Sequence, residues 1–338
     1  MKKSTIFILI LDILVAICFF IFYGPFDNFR NLLVSTAMKT KTHQYIAYTF
    51  YSEKTIRSIT YQGSYIPIDE TINLDDIIID TKPKEVYDNE YDQIILTRDE
   101  GNEDYKYIPV KVGGYDAHLV AIYDPSKVKL ITSRAFNTGM GAEQIYTMCK
   151  RLNGKVCING GMFQDPTGWG SDIPQGYLIK DGKIIWSDNN NKAELIGMTY
   201  DNKLLLVTAT GEEALEMGMR DALQFGPFLI VNGEKIQFRD TAGSYDKAAR
   251  VAIGQRKDGV ILFLVTEGTH MGGPRISEVA DTLALYGAYN AANLDGGSST
   301  QLVIENKVIN NPKNVYGELI QVNGIKGRAV VSGFGLIP

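Results

Sequence analysis

Residues Thr5–Tyr23, TIFILILDILVAICFFIFY, are apolar except for Asp12. A run of this length has few structural solutions. A helix needs ~20 apolar residues to cross a bilayer, and in hydrocarbon its backbone polar groups must be bonded within the segment. The run is therefore predicted to be a membrane-spanning helix. Lys2 and Lys3 precede it, so the positive-inside rule puts the N-terminus in the cytoplasm and the remaining chain outside. A cleaved signal peptide is the rival reading. The stretch Phe22-Tyr23-Gly24-Pro25-Phe26 lacks a small-residue cleavage pattern, which favours an uncleaved anchor. Asp12, costing ~3 kcal/mol at mid-span on insertion scales, is read as tolerated.

The rest of the chain has three textures. Residues 27–60 contain no Gly or Pro and show helical apolar spacing at Leu32, Leu33, Thr36 and Ala37, then at Tyr45, Ile46, Tyr48 and Thr49. They are read as one or two juxtamembrane helices. Residues 61–104 are polar and acidic and are read as a linker or lid, with the charged run Arg98–Asp104 as a solvated loop. From Tyr105 to Pro338 the pattern becomes strand-rich. HLVAIYDP, KVKLITS, KVCIN, KLLLVTA, PFLIV, RVAIGQR, VILFLV, TQLVIENKVI and RAVVSGF are strand-like. Asp181-Gly182, Asn232-Gly233 and Asp258-Gly259 are hairpin turns. GAEQIYTMCKRLNG and RISEVADTLALYG read as helices.

This mixture predicts an α+β fold: mixed, largely antiparallel sheets with hairpins and a few packed helices, preceded by one transmembrane helix. No regular βαβ alternation supports a doubly wound sheet. A hydrophobic content of 45% supplies ample core. The formal net charge of -5 provides no basic field for nucleic acid. Cys149 stands near a predicted helix end and Cys157 in a strand. Two buried thiols are favoured over a disulfide between them, since a disulfide needs a narrow Cα separation.

Two segments share a form. Val156–Gly161 and Ala292–Gly297 are each a buried apolar strand ending in a polar residue and two glycines: Asn159-Gly160-Gly161 and Asp295-Gly296-Gly297. Glycine pairs let backbone approach a ligand closely, and successive N–H groups in such turns can face an anion. One such turn alone is more often structural than functional. Two, each longer than a hairpin needs, point to a site.

The ordered series INGGMF, GYLIKDG, FGPFLIVNGE, ARVAIGQRKDG, LVTEG, RISEVADTLALYGAYNAANLDGGSST and GRAVVSGF resembles the phosphodiester glycosidase domain family, over roughly Ala117 to Pro338. The resemblance implies hydrolysis of a sugar-1-phosphodiester that releases an N-acetylglucosamine-like sugar from a cell-surface glycopolymer or glycoconjugate. The chain departs from the family pattern at Ser298, where a third glycine is usual. It departs again at Thr269-His270 after Glu267-Gly268, and at Ala329 after Arg328.

Breaking an anomeric C–O bond passes through an oxocarbenium-like transition state. A phosphomonoester leaves with little protonation because its second pKa is ~6. Such a site needs one well-placed carboxylate and cations for the phosphate. Asp295 is the first choice for nucleophile, base or stabiliser, with Glu267 as the second carboxylate. His270 is placed to protonate the leaving group or touch phosphate. Arg250 is the preferred phosphate clamp, ahead of Arg328 and Arg134. Asn159, Gly160, Gly161, Gly296 and Gly297 supply backbone or amide donors, and Ser298 and Ser299 are further phosphate contacts. His118 is read as structural. No cofactor is required, with a calcium or magnesium ion on Asp295 and Glu267 held as the alternative. The expected partners are a carbohydrate or sugar-phosphate substrate and the membrane. The competing function is a non-catalytic glycan-binding or exopolysaccharide-assembly protein on the same fold.

Overall fold

A computed structural model describes residues 3–39, 44–52, 55–56, 59, 65–66, 72–139, 142–165, 171–238 and 247–338. The chain forms two compact units. One carries the N-terminal helices, and the other begins at Tyr65 and carries the sheets.

In the first unit the apolar run is a single helix, Lys3–Tyr23, long and apolar enough to cross a membrane. Its large side chains are exposed along its length. The juxtamembrane helices are Asp27–Lys39 and Gln44–Phe50. Phe22 at the end of the long helix stacks on Phe50 with ring centroids 4.0 Å apart. Tyr51 donates its hydroxyl hydrogen to the Phe22 carbonyl at 3.1 Å. Val34, Ala37, Ala47, Tyr51 and Ile56 form a small core of their own.

The second unit is built from antiparallel sheets, as the density of hairpin signals predicts. A seven-stranded sheet runs in the order Glu234–Lys235, Phe228–Val231, Ala288–Leu294, Val251–Arg256, Ile261–Thr266, Tyr115–Ile122, Tyr105–Val112. A five-stranded sheet runs Lys307–Val308, Leu302–Ile304, Val156–Asn159, Ser332–Leu336, Val128–Thr132. Another five-stranded sheet contains Tyr177–Lys180, Ala193–Thr199 and Met219–Gln224.

Period-two alternation gives each large strand two faces. Val120, Val251, Ile253, Phe263 and Val265 of the first sheet join Leu130, Ile158, Leu302 and Phe334 of the second and Leu178, Ile196 and Leu223 of the third in one core. The opposite faces are covered by helices. Ile276–Leu285 packs Val279, Ala280 and Leu283 on Leu119, Leu262 and Leu264. Ile145–Arg151 packs Met148 and Cys149 on Ile131 and Val303. Gly211–Glu216 packs Ala214 near Tyr177 and Leu195.

The turns explain which hairpins the sequence announces. Asp181 and Gly182 have φ of 50° and 71°, and Asn232 and Gly233 of 53° and 84°, as type I′ turns require. The hairpin joining Leu302–Ile304 to Lys307–Val308 uses Glu305 and Asn306 at φ of 45° and 59°. It lacks glycine, so TQLVIENKVI reads as one continuous strand.

Two expectations are corrected. From Ile72 onward, the segment read as a linker or lid lies against the sheet domain. The Ile78 and Asp80 amides donate to the Lys257 and Asp258 carbonyls at 2.8 and 2.9 Å. Asp92 pairs with buried Arg256 at 2.8 Å, and Tyr289 donates to Asp76 at 2.8 Å. In the acidic run, Arg98 pairs with Glu103, while Asp104 takes Lys127 and Lys155. Those two lysine hydrogen bonds, Lys127 first, hold the Asp104 carboxyl below its ordinary pKa.

Cys149 and Cys157 form a disulfide rather than two free thiols. The helix Ile145–Arg151 stops, Asn153 adopts φ 53°, and the Gly154 amide returns to the Cys149 carbonyl at 2.8 Å. This tight reversal brings the two Cα atoms to 5.9 Å, inside the disulfide range. Closing a loop this short is worth ~2.5 kcal/mol on the chain-entropy account. Reduction is therefore expected to lower the thermal midpoint of the domain by several degrees, read by circular dichroism with and without reductant.

Candidate functional site

Register places three predicted site residues at one end of the seven-stranded sheet. Val251 pairs with Leu294 on one side and Val265 on the other. The strands of Leu294 and Val265 are parallel to each other, because each is antiparallel to the strand between them. Both end at the same edge, one in Asp295 and the other, two residues on, in Glu267. Arg250 enters the middle strand between them. Its amide donates to Thr266 Oγ1 at 2.8 Å, and its carbonyl accepts from the Thr266 amide at 2.9 Å. A strand spacing of ~4.8 Å separates the Asp295 and Glu267 backbones by about 10 Å.

The two glycine turns meet. The Asp295 amide donates to the Gly160 carbonyl at 2.8 Å, and Asn159 Nδ2 donates to the Asp295 carbonyl at 2.6 Å. Asn159 is fully buried, and its Oδ1 accepts from the Gln301 amide at 2.9 Å. Asn159 therefore braces the two turns. The Gly160 amide donates to the Ser332 carbonyl at 3.0 Å, and the Gly161 amide donates to Ser332 Oγ at 3.2 Å. Among the residues that hold this junction, sequence reading did not single out Gln301 or Ser332.

Past Asp295 the chain makes a short 3-10 turn, Gly297–Ser299. The Gly297 amide donates to the Ala249 carbonyl at 2.7 Å, and the Ala249 amide donates to the Thr269 carbonyl at 2.8 Å. The Glu267–Gly273 loop is thereby laced to the turn. Gly297 has φ +56°, and a Cβ there would stand 2.7 Å from His270 Nδ1. His270 is thus brought against the turn, and the glycine is required by both backbone angle and space. At Gly317, φ is also positive, at +83°, but nothing lies within 4 Å of a Cβ. Gly317→Ala is therefore expected to cost stability of order 1 kcal/mol with activity intact. Gly297→Ala is expected to cost similar or greater stability and at least tenfold in turnover, because His270 must move. Denaturant melts and initial rates on the two variants separate these effects.

Ser298 is half-buried, next to Asp295, Gly296 and Gly297 in the turn. Ser299 points inward, and its Oγ accepts from Arg328 Nε at 3.0 Å and Nη2 at 2.6 Å. Arg328 also pairs with Asp165 and lies over the Phe163 ring at 5.0 Å. This guanidinium ties the Phe163–Asp165 segment, which follows the Asn159 turn, to the Gly297–Ser299 turn. Asp165 was not anticipated, because no local pattern marks it. Arg134 is exposed and faces Glu143, with its amide donating to Glu143 Oε2 at 2.9 Å. The structure does not bring it to the turns.

Glu267 is half-buried. Its oxygens accept from the Asn311 amide at 3.0 Å, Asn311 Nδ2 at 3.2 Å and His118 Nε2 at 3.3 Å. Burial pushes its carboxyl pKa upward. The His118 hydrogen bond and the Asn311 amide outweigh that and hold it below the ordinary value. Among the described residues no group of three His, Cys, Asp or Glu side chains gathers at metal-binding spacing.

The strand-end carboxylates and the laced glycine turns lie together at one end of the seven-stranded sheet of an α+β fold. The chain belongs to the phosphodiester glycosidase family, whose model matches residues 153–336, over half of its length. It is similar to an uncharacterized SPbeta prophage-derived protein of Bacillus subtilis, with 30% identity over 202 residues, covering 56% of this chain and 30% of that one. It is also similar to the mouse N-acetylglucosamine-1-phosphodiester alpha-N-acetylglucosaminidase, with 25% identity over 177 residues, covering 47% of this chain and 34% of that one. The alignments thus span about a third of the length of these curated relatives. The fold matches the catalytic domain of the zebrafish N-acetylglucosamine-1-phosphodiester alpha-N-acetylglucosaminidase, auto-inhibited by its pro-peptide. That match has a TM-score of 0.56 and 20% identity, and it covers 70% of this chain and 82% of that one.

Proposed function

We propose that this protein is a membrane-anchored phosphodiester glycosidase acting outside the cell, hydrolysing a sugar-1-phosphodiester of a surface glycopolymer or glycoconjugate. The observation that carries the reading is the joining of the two glycine turns, Asn159 Nδ2 to the Asp295 carbonyl and the Asp295 amide to the Gly160 carbonyl. The junction holds the Asp295 backbone at the end of its strand, with Arg250 at the start of the next strand and His270 on the neighbouring loop. The mouse and zebrafish relatives are N-acetylglucosamine-1-phosphodiester alpha-N-acetylglucosaminidases, and this supports an N-acetylglucosamine-like sugar.

In this reading the anomeric C–O bond breaks and its electron pair leaves with the phosphate oxygen. Water supplies the new C–O bond, directly or after a covalent step on Asp295, and a carboxylate takes its proton. Arg250 holds the phosphate, with His270 beside it. The Arg250 charge comes from the chain itself, so the reaction is proposed to run without a metal. Activity that persists in chelator tests this point.

Anchoring and orientation rest on the apolar run Thr5–Tyr23, with Lys2 and Lys3 before it. The Cys149–Cys157 disulfide suits an oxidising, non-cytosolic compartment. Incubating the full chain in detergent with a synthetic N-acetylglucosamine-1-phosphodiester should release free sugar. Tight glycan binding without turnover would favour the non-catalytic alternative.

A further inference from the structure

Tyr107, His118 and Glu267 lie in a diagonal row across three strands. His118 pairs with Pro109 on one side and Val265 on the other. Tyr107 is two residues before Pro109, and Glu267 two after Val265. In antiparallel sheets such diagonal neighbours share a face and come within reach. Tyr107 Oη lies 2.8 Å from His118 Nδ1, and His118 Nε2 lies 3.3 Å from Glu267 Oε1.

We propose that His118 is a positioning residue that holds Glu267 as an ionised hydrogen-bond acceptor, with Tyr107 orienting the imidazole. The inference rests on the reading of Glu267 as a site carboxylate. When the ring is neutral, Tyr107 donates to Nδ1 and the ring hydrogen sits on Nε2, facing Glu267. When the ring is protonated, Nε2 still carries a hydrogen toward Glu267. Burial, then the Glu267 charge, raises the Tyr107 phenol pKa, so its hydroxyl stays a donor at neutral pH.

Asn311 and Asp116 border this row. Asn311 donates twice to Glu267 and accepts from Lys326 Nζ at 2.8 Å. Asp116, beside His118 on its strand, is paired with Lys111 at 2.6 Å. Glu267 thus receives three donors on Oε1, and the Asn311 amide also reaches Oε2 at 3.3 Å. It has no proton to give a leaving group, and its role is that of a base or charge stabiliser. An enzyme lacking this acid favours substrates whose leaving group departs as an anion, the property of a phosphomonoester.

Glu267 has a folded-state pKa below its unfolded value, so its ionised form prevails above that pKa and is lost as pH falls through it. Losing the His118 donor raises that point. Two readouts on the full chain test this. The first is the pH dependence of kcat/KM on a sugar-1-phosphodiester. The second is a carbon-13 titration of the Glu267 carboxyl, assigned by its disappearance in Glu267→Gln.

In His118→Phe the acid limb and the carboxyl titration should both rise by about one pH unit, with kcat down tenfold or more and KM within twofold. His118→Gln should restore part of the shift by supplying an amide donor. Tyr107→Phe, which leaves the ring in place, should move both in the same direction by less, and it serves if His118→Phe does not fold. An unmoved titration in the folded variants overturns the proposal. The titration needs no turnover, so an inactive wild type would sink the glycosidase reading and still leave this inference decided.

Discussion

Asp295→Ala is expected to lower kcat for sugar release by about a thousandfold, ~4 kcal/mol of transition-state stabilisation, while the protein stays folded. The separation follows from where Asp295 makes its bonds. Two of its bonds run through the backbone, from its amide to the Gly160 carbonyl and from Asn159 Nδ2 to its carbonyl. Alanine keeps both and deletes only the carboxylate. Asp295→Asn should fall as far, since it keeps the shape and removes the charge. Steady-state rates beside denaturant midpoints check this pair. A catalytic loss that tracked unfolding would place Asp295 in the scaffold instead.

Asp165→Ala is expected to destabilise the domain by about 3–5 kcal/mol, among the largest effects available to a single substitution in this chain. Asp165 and Arg328 are both buried, with side chains 3% and 9% exposed. Removing the carboxylate takes the acidic partner from a guanidinium that is held away from water. Arg328 also ties the Phe163–Asp165 segment to the Gly297–Ser299 turn, so activity should fall as that tie loosens. An apolar replacement of both partners, Asp165→Leu with Arg328→Met, should recover much of the stability without the activity. Urea melts of the single and double variants supply the comparison.

What could be read from the sequence, and what could not, divides by the range of the interaction. The hairpins at Asp181-Gly182 and Asn232-Gly233 are legible because a two-residue turn demands positive φ from named residue types. The strands and the helix Ile276–Leu285 are legible from local periodicity. The spanning helix needs only length and apolarity.

The misses are long-range or carried by single residues. Residues from Ile72 onward look like an acidic linker because their anchors to the domain, Asp76 on Tyr289 and Asp92 on Arg256, leave no periodic trace. The Cys149–Cys157 bond depends on how sharply the chain reverses at Asn153-Gly154. Composition does not report that. His118 reads as an ordinary strand residue until the register of three strands aligns it with Glu267. The meeting of the two glycine turns is similar. Their shared form is visible in the sequence, but the hydrogen bonds that join them cross more than a hundred residues.

The central claim is that water attacks the anomeric carbon at the joined turns. Hydrolysis of an N-acetylglucosamine-1-phosphodiester in oxygen-18 water, with both products analysed by mass spectrometry, tests it most directly. The account predicts one heavy oxygen on the released sugar and none on the phosphomonoester, with Asp295→Ala giving neither product. Heavy oxygen on the phosphate would mean P–O cleavage and contradict the account.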